Sequence, residues 1–147
     1  MSNIKKISFN SSDYDLALGI RRKVFILEQN VPVSIEIDAH EASVDHFLLT
    51  VDGVPAATGR LRVKDQWIKF ERIATLTEFR GRGVGRELMV EMMAYAAKNH
   101  PGLTPYLHSQ ADAVGFYEKL GWVAEGETFY EANIPHLAMT VKPSSRN

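Results

Sequence analysis

The stretch Phe70–Leu88, FERIATLTEFRGRGVGREL, decides how the chain is organised. It begins with the end of an apolar strand and passes through a glycine-rich loop, Arg80–Gly85, into a helix. A loop of this kind at a helix N-terminus leaves several backbone N–H groups unpaired, and glycines let an anion approach them. The helix dipole favours negative charge there, and Arg80, Arg82 and Arg86 add positive charge. The stretch therefore predicts a site for a pyrophosphate or a similar anion.

The spacing within this loop argues against two common phosphate motifs. A nucleotide P-loop continues from its last glycine with Lys and then Ser or Thr, whereas Gly85 is followed by Arg86 and Glu87. No side chain is therefore placed to hold magnesium. The dinucleotide fingerprint needs the spacing G-x-G-x-x-G and an acidic residue about 20 positions later. This loop has the spacing G-x-G-x-G, and the corresponding region, Lys98–Leu103, contains no acid.

The loop pattern resembles the signature of the GNAT superfamily of N-acetyltransferases, Gln/Arg-x-x-Gly-x-Gly/Ala. Arg80, Gly83 and Gly85 match that signature position by position. In this family the loop binds the pyrophosphate of acetyl-coenzyme A. Further stretches are similar to landmarks of small bacterial GNAT proteins, in the same order along the chain: Arg21–Phe25 with Glu28-Gln29, Glu71–Ala74, Phe116–Glu118 and Glu131–His136. The resemblance covers nearly the whole chain.

Periodicity and turn residues predict the element order β-α-β-β-β-α-β-α-β-β. A strand at Ile4–Phe9 precedes a helix from about Asp13 to Gln29, and the three strands that follow form an antiparallel meander with a bulge at Gly59. The other predicted elements are the strands Asp45–Val51, Val54–Val63, Gln66–Thr75 and Leu103–His108, a helix at Gln110–Leu120, a strand across Trp122–Ala124 and Phe129–Glu131, and a last strand at His136–Val141. This order matches the GNAT fold. The resemblance thus implies an α/β (α+β) fold with a mixed, splayed central sheet of about seven strands and helices on both faces.

The length of 147 residues indicates a single domain, with a frayed tail at about 143–147. The resemblance implies that this domain, over residues 1–147, is an acyl-CoA N-acyltransferase domain. The net charge of −1 argues against a nucleic-acid or membrane-surface binder. The absence of cysteine excludes disulfides, thiolate metal sites and a cysteine nucleophile. No apolar run reaches the length of a signal peptide core or a membrane span, so a cytoplasmic enzyme is expected. Many folds of this size form homodimers through their sheet edges, and the sequence does not decide whether this chain does.

Acetyl transfer to an amine first requires a base, because an ammonium has no lone pair. An amine with a pKa near 10 is neutral in about one molecule in a thousand at pH 7, which costs roughly 4 kcal/mol. Glu71 is the first candidate, since burial near the sheet centre raises a carboxyl pKa. On a regular strand it shares one face with Ile73 and Thr75. The alternative is that Glu71 forms a structural ion pair with Arg60 or Arg62.

Other side chains are candidates for the remaining proton transfers. His136 is the second candidate base because an imidazole titrates near neutral pH, although a structural role after Pro135 is the alternative. His108 and Glu131 remain open, either directly or through water. Tyr117 is the candidate acid: the family resemblance implies a tyrosine here near the cofactor sulfur. The alternative role for Tyr117 is that of a core aromatic residue beside Phe116.

The resemblance also implies which residues contact acetyl-CoA. The thioester carbonyl would accept a hydrogen bond from the backbone N–H of Ile73 or Ala74, where the strand ending at Thr75 separates from the strand Leu103–His108. The pyrophosphate would accept from N–H groups of the glycine-rich loop. The full expected set is Ile73, Ala74, Thr75, Arg80, Gly81, Arg82, Gly83, Val84, Gly85, Arg86, Gln110 and Tyr117.

The predicted function is transfer of an acetyl group from acetyl-CoA to a primary amine of an unidentified acceptor. One alternative is a non-catalytic acetyl-CoA-binding or sensing module, and another is a general nucleotide-binding protein. The acids and histidines of Val33–His46 match no zinc or calcium motif, so no metal is expected. The acids of this segment hint at a cationic acceptor such as a polyamine, an aminoglycoside or a peptide amine.

Overall fold

A computed structural model describes residues 1–141, so the predicted frayed tail lies outside the described residues. Seven strands form one sheet in the order β1-β2-β3-β4-β5-β7-β6. All neighbouring strands are antiparallel except β4 and β5, which are parallel. The strands are β1 Ser2–Ile7, β2 Asp45–Val51, β3 Val54–Lys64, β4 Trp67–Thr75, β5 Thr104–Gln110, β6 Trp122–Glu131 and β7 Ile134–Val141. The predicted mixed sheet of seven strands is confirmed.

The helices depart from a regular pattern at one place. Ser11 caps the first helix, and its hydroxyl accepts a hydrogen bond from the Tyr14 N–H at 3.1 Å. The helix then continues through Arg22–Glu28 as a π-helical segment rather than as regular α-helix, and such segments occur frequently at functional sites. The α-helices are α1 Ser12–Arg21, α2 Val33–Glu36, α3 Val84–Asn99 and α4 Val114–Glu118.

The helix predicted from Gln110 to Leu120 is wrong at its start. Gln110 is the last residue of β5 and pairs with His136 of β7, and α4 covers only Val114–Glu118. Apolar residues at helical spacing follow directly after a short strand here, and pairing with β7 decides which residues stay extended. The next strand, β6, is continuous, with a register shift between Glu125 and Phe129.

A bulge lies at the predicted place, opposite Gly59, but its extra residue belongs to β4 and not to β3. The register between β3 and β4 shifts between Thr58 and Arg60. A Cβ atom on Gly59 would lie 2.7 Å from Cδ1 of Ile73 and 2.8 Å from Sδ of Met92 in α3. Glycine is therefore needed here because a larger residue would collide with the side chains that fill the space between the sheet and α3.

The bulge reverses the direction of side chains along the end of β4. Arg72 has a φ of +55°, and two residues of β4 oppose Gly59 at this point. Glu71 consequently pairs with Arg60 on the face turned away from α3, whereas Ile73 contacts the α3 side. The expectation that Glu71 and Ile73 share one face is wrong, because regular alternation does not pass through a bulge.

The core lies between the sheet and helices on both of its faces. α1 packs across β2, β3 and β4, and α3 packs on the opposite face of the same strands. The largest fully buried side chains are Trp122, Phe47, Ile20, Leu48, Leu49, Ile68, Leu88, Met89, Met92 and Leu107, together with Arg21 and Arg60. None of the helices within residues 1–141 is long and apolar enough to cross a membrane.

Candidate active site

A cleft of about 740 Å³ opens where β4 and β5 separate. The two strands pair from Trp67 and Thr104 as far as Phe70 and Leu107, and beyond this point each strand continues without the other. The backbone edge of β4 that faces the gap therefore has N–H and C=O groups free of β5. All of the predicted site residues except Arg82 line this single cleft.

The glycine-rich loop forms one end of the cleft. Gly81 and Gly83 have φ values of +76° and +79°, which strain any residue with a side chain. Gly83 is the N-cap of α3, and the first bond of the helix runs from the Glu87 N–H to the Gly83 carbonyl at 3.0 Å. The N–H groups of the first turn of α3 therefore have no intrahelical partner. Several N–H groups at a helix N-terminus fit a pyrophosphate.

Gly85 allows the loop to lie close to the end of β4 and to α4. A Cβ atom at this position would be 3.2 Å from Oγ1 of Thr75 and 3.4 Å from Cζ of Phe116. The three elements that meet here are the start of α3, the last residue of β4 and the first turn of α4. A larger side chain at residue 85 would either push them apart or fill the cleft.

The arginine side chains of the loop are engaged by the protein itself. Arg80 donates from both terminal nitrogens to the carboxylate of Glu28, at 2.7 and 2.8 Å, and from Nε to the Thr75 carbonyl at 3.0 Å. The hydrogen bond from Arg80 lowers the pKa of Glu28. Arg82 lies 5.0 Å from the centre of the Phe79 ring and does not line the cleft. Backbone groups rather than these side chains are therefore the anion donors that the loop offers.

A second side-chain bridge starts at Gln29, the residue that follows the π-helical segment. Nε2 of Gln110 donates to Oε1 of Gln29 at 2.8 Å. Glu28 thus ties the segment to the β4 side of the cleft, and Gln29 ties it to the end of β5. Glu28 and Gln29 were assigned no role from the sequence; the signal for them was their place among the family landmarks.

Glu71 is held by cations on several sides. Its carboxylate accepts from Nε of Arg60 at 3.0 Å and from two nitrogens of Arg62 at 3.1 Å, and Nζ of Lys69 lies 3.3 Å away. Burial by itself raises its pKa, but the hydrogen bond from Arg62 and the neighbouring charges outweigh burial and lower the pKa to about 2. A carboxylate with this pKa is a weak base at neutral pH. The structure therefore favours the structural ion pair over the role of general base.

The acids of the irregular segment after the first helix also point inward. Glu41 accepts from Arg21 at 2.8 Å and from Arg60, and Tyr14 donates to it at 2.7 Å. Other ion pairs in the same network join Arg21 and Arg72 to Glu36, and Arg60 and Arg72 to Asp38. These carboxylates are matched by the protein's own arginines, so they give no support to the expectation of a cationic acceptor.

His136 also lines the cleft and is 8% exposed. Its Nδ1 is 2.6 Å from the carbonyl oxygen of Ile134. A carbonyl only accepts hydrogen bonds, so Nδ1 carries a hydrogen, and in the neutral form of the ring the lone pair is on Nε2. Nε2 lies 3.9 Å from Oε1 of Glu131, and the other oxygen of Glu131 lies 2.8 Å from Nδ1 of His108.

A tight hairpin holds Glu131 and His136 in this arrangement. Glu131 pairs with Ile134, and the two residues between them, Ala132 and Asn133, have φ values of +51° and +62°. Two positive φ values are typical of a type I′ turn, in which Ala is unfavourable because of its Cβ atom. Strained residues persist where the surrounding structure fixes them, often next to functional groups.

Tyr117 of α4 lines the cleft and is 8% exposed. Burial raises the pKa of its hydroxyl, and no charge or hydrogen bond from residues 1–141 contributes to this shift. The ring packs edge-on against Phe116 and Trp122. The hydroxyl therefore stays protonated at neutral pH, and it is available as a hydrogen-bond donor inside the cleft.

Comparison with known proteins defines the family. Residues 11–143 match the model of the acetyltransferase (GNAT) domain. The uncharacterized protein YyaT of Bacillus subtilis is 40% identical over 149 aligned positions, covering 99% of this chain and 98% of that protein. The uncharacterized N-acetyltransferase YjcF of the same species is 38% identical over 135 positions, covering 90% and 95%. The chain therefore belongs to the GNAT acetyltransferase family.

Solved structures agree with this conclusion. An acyl-CoA N-acyltransferase from Pseudomonas aeruginosa superposes with a TM-score of 0.86 at 25% identity, over 97% of this chain and all of that one. ElaA from Escherichia coli superposes with a TM-score of 0.87 at 24% identity, which shows the shared fold. Members of this family transfer an acyl group from acyl-CoA to an amine. Within the described part of the chain no group of His, Cys, Asp and Glu side chains is arranged to hold a metal ion.

Proposed function

We propose that this protein is an acetyl-CoA-dependent N-acetyltransferase whose acceptor is a primary amine that attacks the thioester directly. The observation that carries the proposal is the continuity of one cleft. It joins the free N–H groups at the start of α3, the separated edges of β4 and β5, the hydroxyl of Tyr117 and the imidazole of His136. An anionic cofactor, a thioester and an amine each meet suitable groups along it.

In this proposal the pyrophosphate of acetyl-CoA accepts hydrogen bonds from backbone N–H groups of residues 81–86. The pantetheine arm lies in the gap between β4 and β5, where unpaired backbone groups of β4 face it. The N–H of Ile73 or Ala74 polarises the thioester carbonyl. Gly59 supports this geometry indirectly, because the bulge sets the direction of Ile73.

The proton transfers are assigned to two side chains. His136 takes a proton from the acceptor through Nε2, because its other nitrogen is held by a carbonyl and Nε2 alone carries a lone pair. Tyr117 donates to the departing sulfur, since its hydroxyl is protonated and has no charged partner within residues 1–141. Glu71 takes no part in proton transfer in this scheme and instead fixes the arginines behind the cleft.

The test starts with binding and continues with turnover. Isothermal titration with acetyl-CoA, with ATP and magnesium as the control, is followed by a thiol-release screen over primary amines. Micromolar binding of acetyl-CoA but not ATP, with thiol release that depends on an amine, is the expected result. Failure of acetyl-CoA to bind would overturn the assignment of the loop. Binding without release for any amine would favour the sensing module instead.

Two variants make the assay specific for the cleft. Gly85→Val places a branched side chain where the cofactor's phosphates are proposed to lie, and Gly102→Ala, which meets no atom within 4 Å, is its matched control. We expect acetyl-CoA binding to weaken by at least tenfold in the first variant and to remain unchanged in the second.

A further inference from the structure

Two hydrogen-bond acceptors face each other across a short gap at the hairpin end of the cleft. One is Nε2 of His136, which carries the lone pair because Nδ1–H donates to the Ile134 carbonyl. The other is Oε1 of Glu131, 3.9 Å away. Two lone pairs do not attract each other, so this gap suits a group that donates one hydrogen to each atom. A nitrogen about 2.8 Å from both atoms fits the gap, because its two hydrogen bonds then diverge by roughly 90°.

We propose that this gap is the subsite for the reacting amine, and that it takes a primary alkylammonium with Glu131 as counter-ion and Nε2 of His136 as the atom that receives the proton. The inference rests on the proposed N-acetyltransferase function and names its acceptor class. A basic alkyl amine is cationic at neutral pH and donates to both atoms, whereas a weakly basic aromatic amine lacks the charge that Glu131 attracts.

Glu131 is 47% exposed at its side chain, so a second group has to hold it in place. Nδ1 of His108 lies 2.8 Å from Oε2 of Glu131 and fixes the carboxylate from the side opposite the gap. The ring of Phe129 contacts both imidazoles, with centroid distances of 4.9 Å to His108 and 6.0 Å to His136. His108 is therefore a positioning residue, and it acts through Glu131.

The charged groups around the subsite come from three strands. Glu131 itself is on β6; His108 on β5 lowers its pKa most, and Lys69 on β4 also contributes. Lys69 lies 3.3 Å from Glu71, so its charge is shared with that carboxylate. Glu131 thus stays ionised at neutral pH and keeps a negative charge for the incoming ammonium.

The protons of the reaction balance along this route. One N–H bond of the ammonium breaks and its hydrogen moves to Nε2 of His136, so the amine gains the lone pair that forms the bond to the thioester carbon. The C–S bond breaks, and the sulfur takes a hydrogen from the Tyr117 hydroxyl, which is restored by a second hydrogen of the amine. The hydrogen on His136 leaves through Glu131 to solvent. The products are an amide, free thiol and one released proton.

The subsite is tested by binding, without the need for turnover. Histidine-labelled full-length protein with coenzyme A bound is titrated with methylammonium, benzylammonium, hexylammonium and spermidine, and benzyl alcohol serves as the neutral match. NMR signals of His136 and His108 are assigned from His136→Gln and His108→Gln variants. We expect both signals to shift with alkylammonium and not with the alcohol. Absence of a shift with all four amines, or an equal shift with the alcohol, overturns the subsite.

Two glutamate variants distinguish loss of the charge at the subsite from loss of a negative charge elsewhere on the protein. Glu131→Gln keeps the shape and removes the charge, and Glu127→Gln makes the same change at an exposed position of β6 outside the cleft. We expect the dissociation constant of the ammonium to rise about two- to fivefold in the first variant, as for a partly exposed ion pair, and to be unchanged in the second. An equal constant in Glu131→Gln and the wild type contradicts the proposal.

Kinetics of amine turnover give a second test of the amine subsite. Titration with acetyl-CoA shows whether a negative result concerns this subsite or the proposed N-acetyltransferase function. With an alkyl amine found by thiol release, Glu131→Gln is expected to raise the KM for that amine about two- to fivefold, with a smaller change in kcat. A purely structural Glu131 would instead reduce kcat and the stability of the fold together. Acetyl-CoA binding is measured in the same variants. If it fails in the wild type, the proposed function fails; if it persists while the ammonium site does not respond, only this inference fails.

Discussion

The replacement Glu71→Gln distinguishes a structural carboxylate from a catalytic base. The carboxylate has a pKa of about 2 in the folded protein, compared with 4.5 for an ordinary glutamate. The difference of 2.5 pKa units corresponds to about 3 kcal/mol of stability at pH 7. Glutamine keeps the size of the side chain but leaves Arg60 and Arg62 with a neutral partner. We therefore expect the variant to unfold about 3 kcal/mol more easily at pH 7.

The pH dependence of this difference has a definite sign. Because the folded pKa is lowered, the stabilisation from Glu71 is complete above about pH 4.5 and is lost as the pH falls toward 2. At pH 3 the ionised form contributes only about 1.4 kcal/mol by the same relation. The difference in the free energy of unfolding between the variant and the wild type is therefore less than half of its value at pH 7. Urea unfolding followed by circular dichroism at pH 7, 5 and 3 measures this, with Glu127→Gln as the exposed control.

The activity of Glu71→Gln shows whether Glu71 is the general base instead. If Glu71 only fixes the arginines, the variant retains thiol release at temperatures where it is folded, and the acid limb of its pH–rate profile stays in place. Unchanged unfolding midpoints together with loss of turnover and of the acid limb would refute the reasoning. Glu71 would then be the general base, and the ion pairs around it would contribute little to stability.

Three further substitutions test other parts of the site. Tyr117→Phe removes only the hydroxyl, so kcat should fall about 10²- to 10⁴-fold while acetyl-CoA binding stays within a factor of three, measured by thiol release and titration. A core role alone would leave kcat unchanged. Gly59→Ala adds a methyl 2.7 Å from Ile73, so overpacking should cost about 1–3 kcal/mol of stability and also lower kcat, and urea unfolding with kinetics measures both. Thr75→Val keeps the volume next to Gly85 but removes the hydroxyl, and it should alter the Michaelis constant for acetyl-CoA less than Gly85→Val does. An equal effect of these two variants would mean that the shape of the loop is not what matters.

The glycine-rich loop at the start of α3 was predictable from sequence because its signal is local. Glycines with positive φ values, the start of a helix and the spacing from Arg80 to Gly85 are all contained in a few consecutive residues. The strand meander and an irregularity at Gly59 were predictable for the same reason, since turn residues and alternation act between neighbours in the chain, but the sequence did not indicate that the extra residue of the bulge is in β4. What the sequence overstated was the role of the arginine side chains. Arg80 is held by Glu28, a residue 52 positions earlier, and no local pattern indicates that contact.

The interpretation of the carboxylates depended on long-range partners. Glu36, Asp38 and Glu41 looked available for a cationic acceptor, yet each meets an arginine from a distant part of the chain. The sequence alone does not distinguish a catalytic from a structural role for Glu71, because both roles require burial, and only the positions of Arg60 and Arg62 separate them. Ionisable groups of opposite charge are common in any sequence, so spacing alone does not assign pairs among them.

By itself, the sequence determined the family, the order of strands and helices, and the loop at the start of α3, because these follow from local backbone preferences and short motifs. Tertiary structure decided which ionisable groups are neutralised and which stay available. It paired Glu71 with Arg60 and Arg62, and it placed Glu131 3.9 Å from Nε2 of His136. The physical reason is that charge and protonation depend on distance and burial in three dimensions, and these are fixed only when β4, β5 and β7 meet in one sheet.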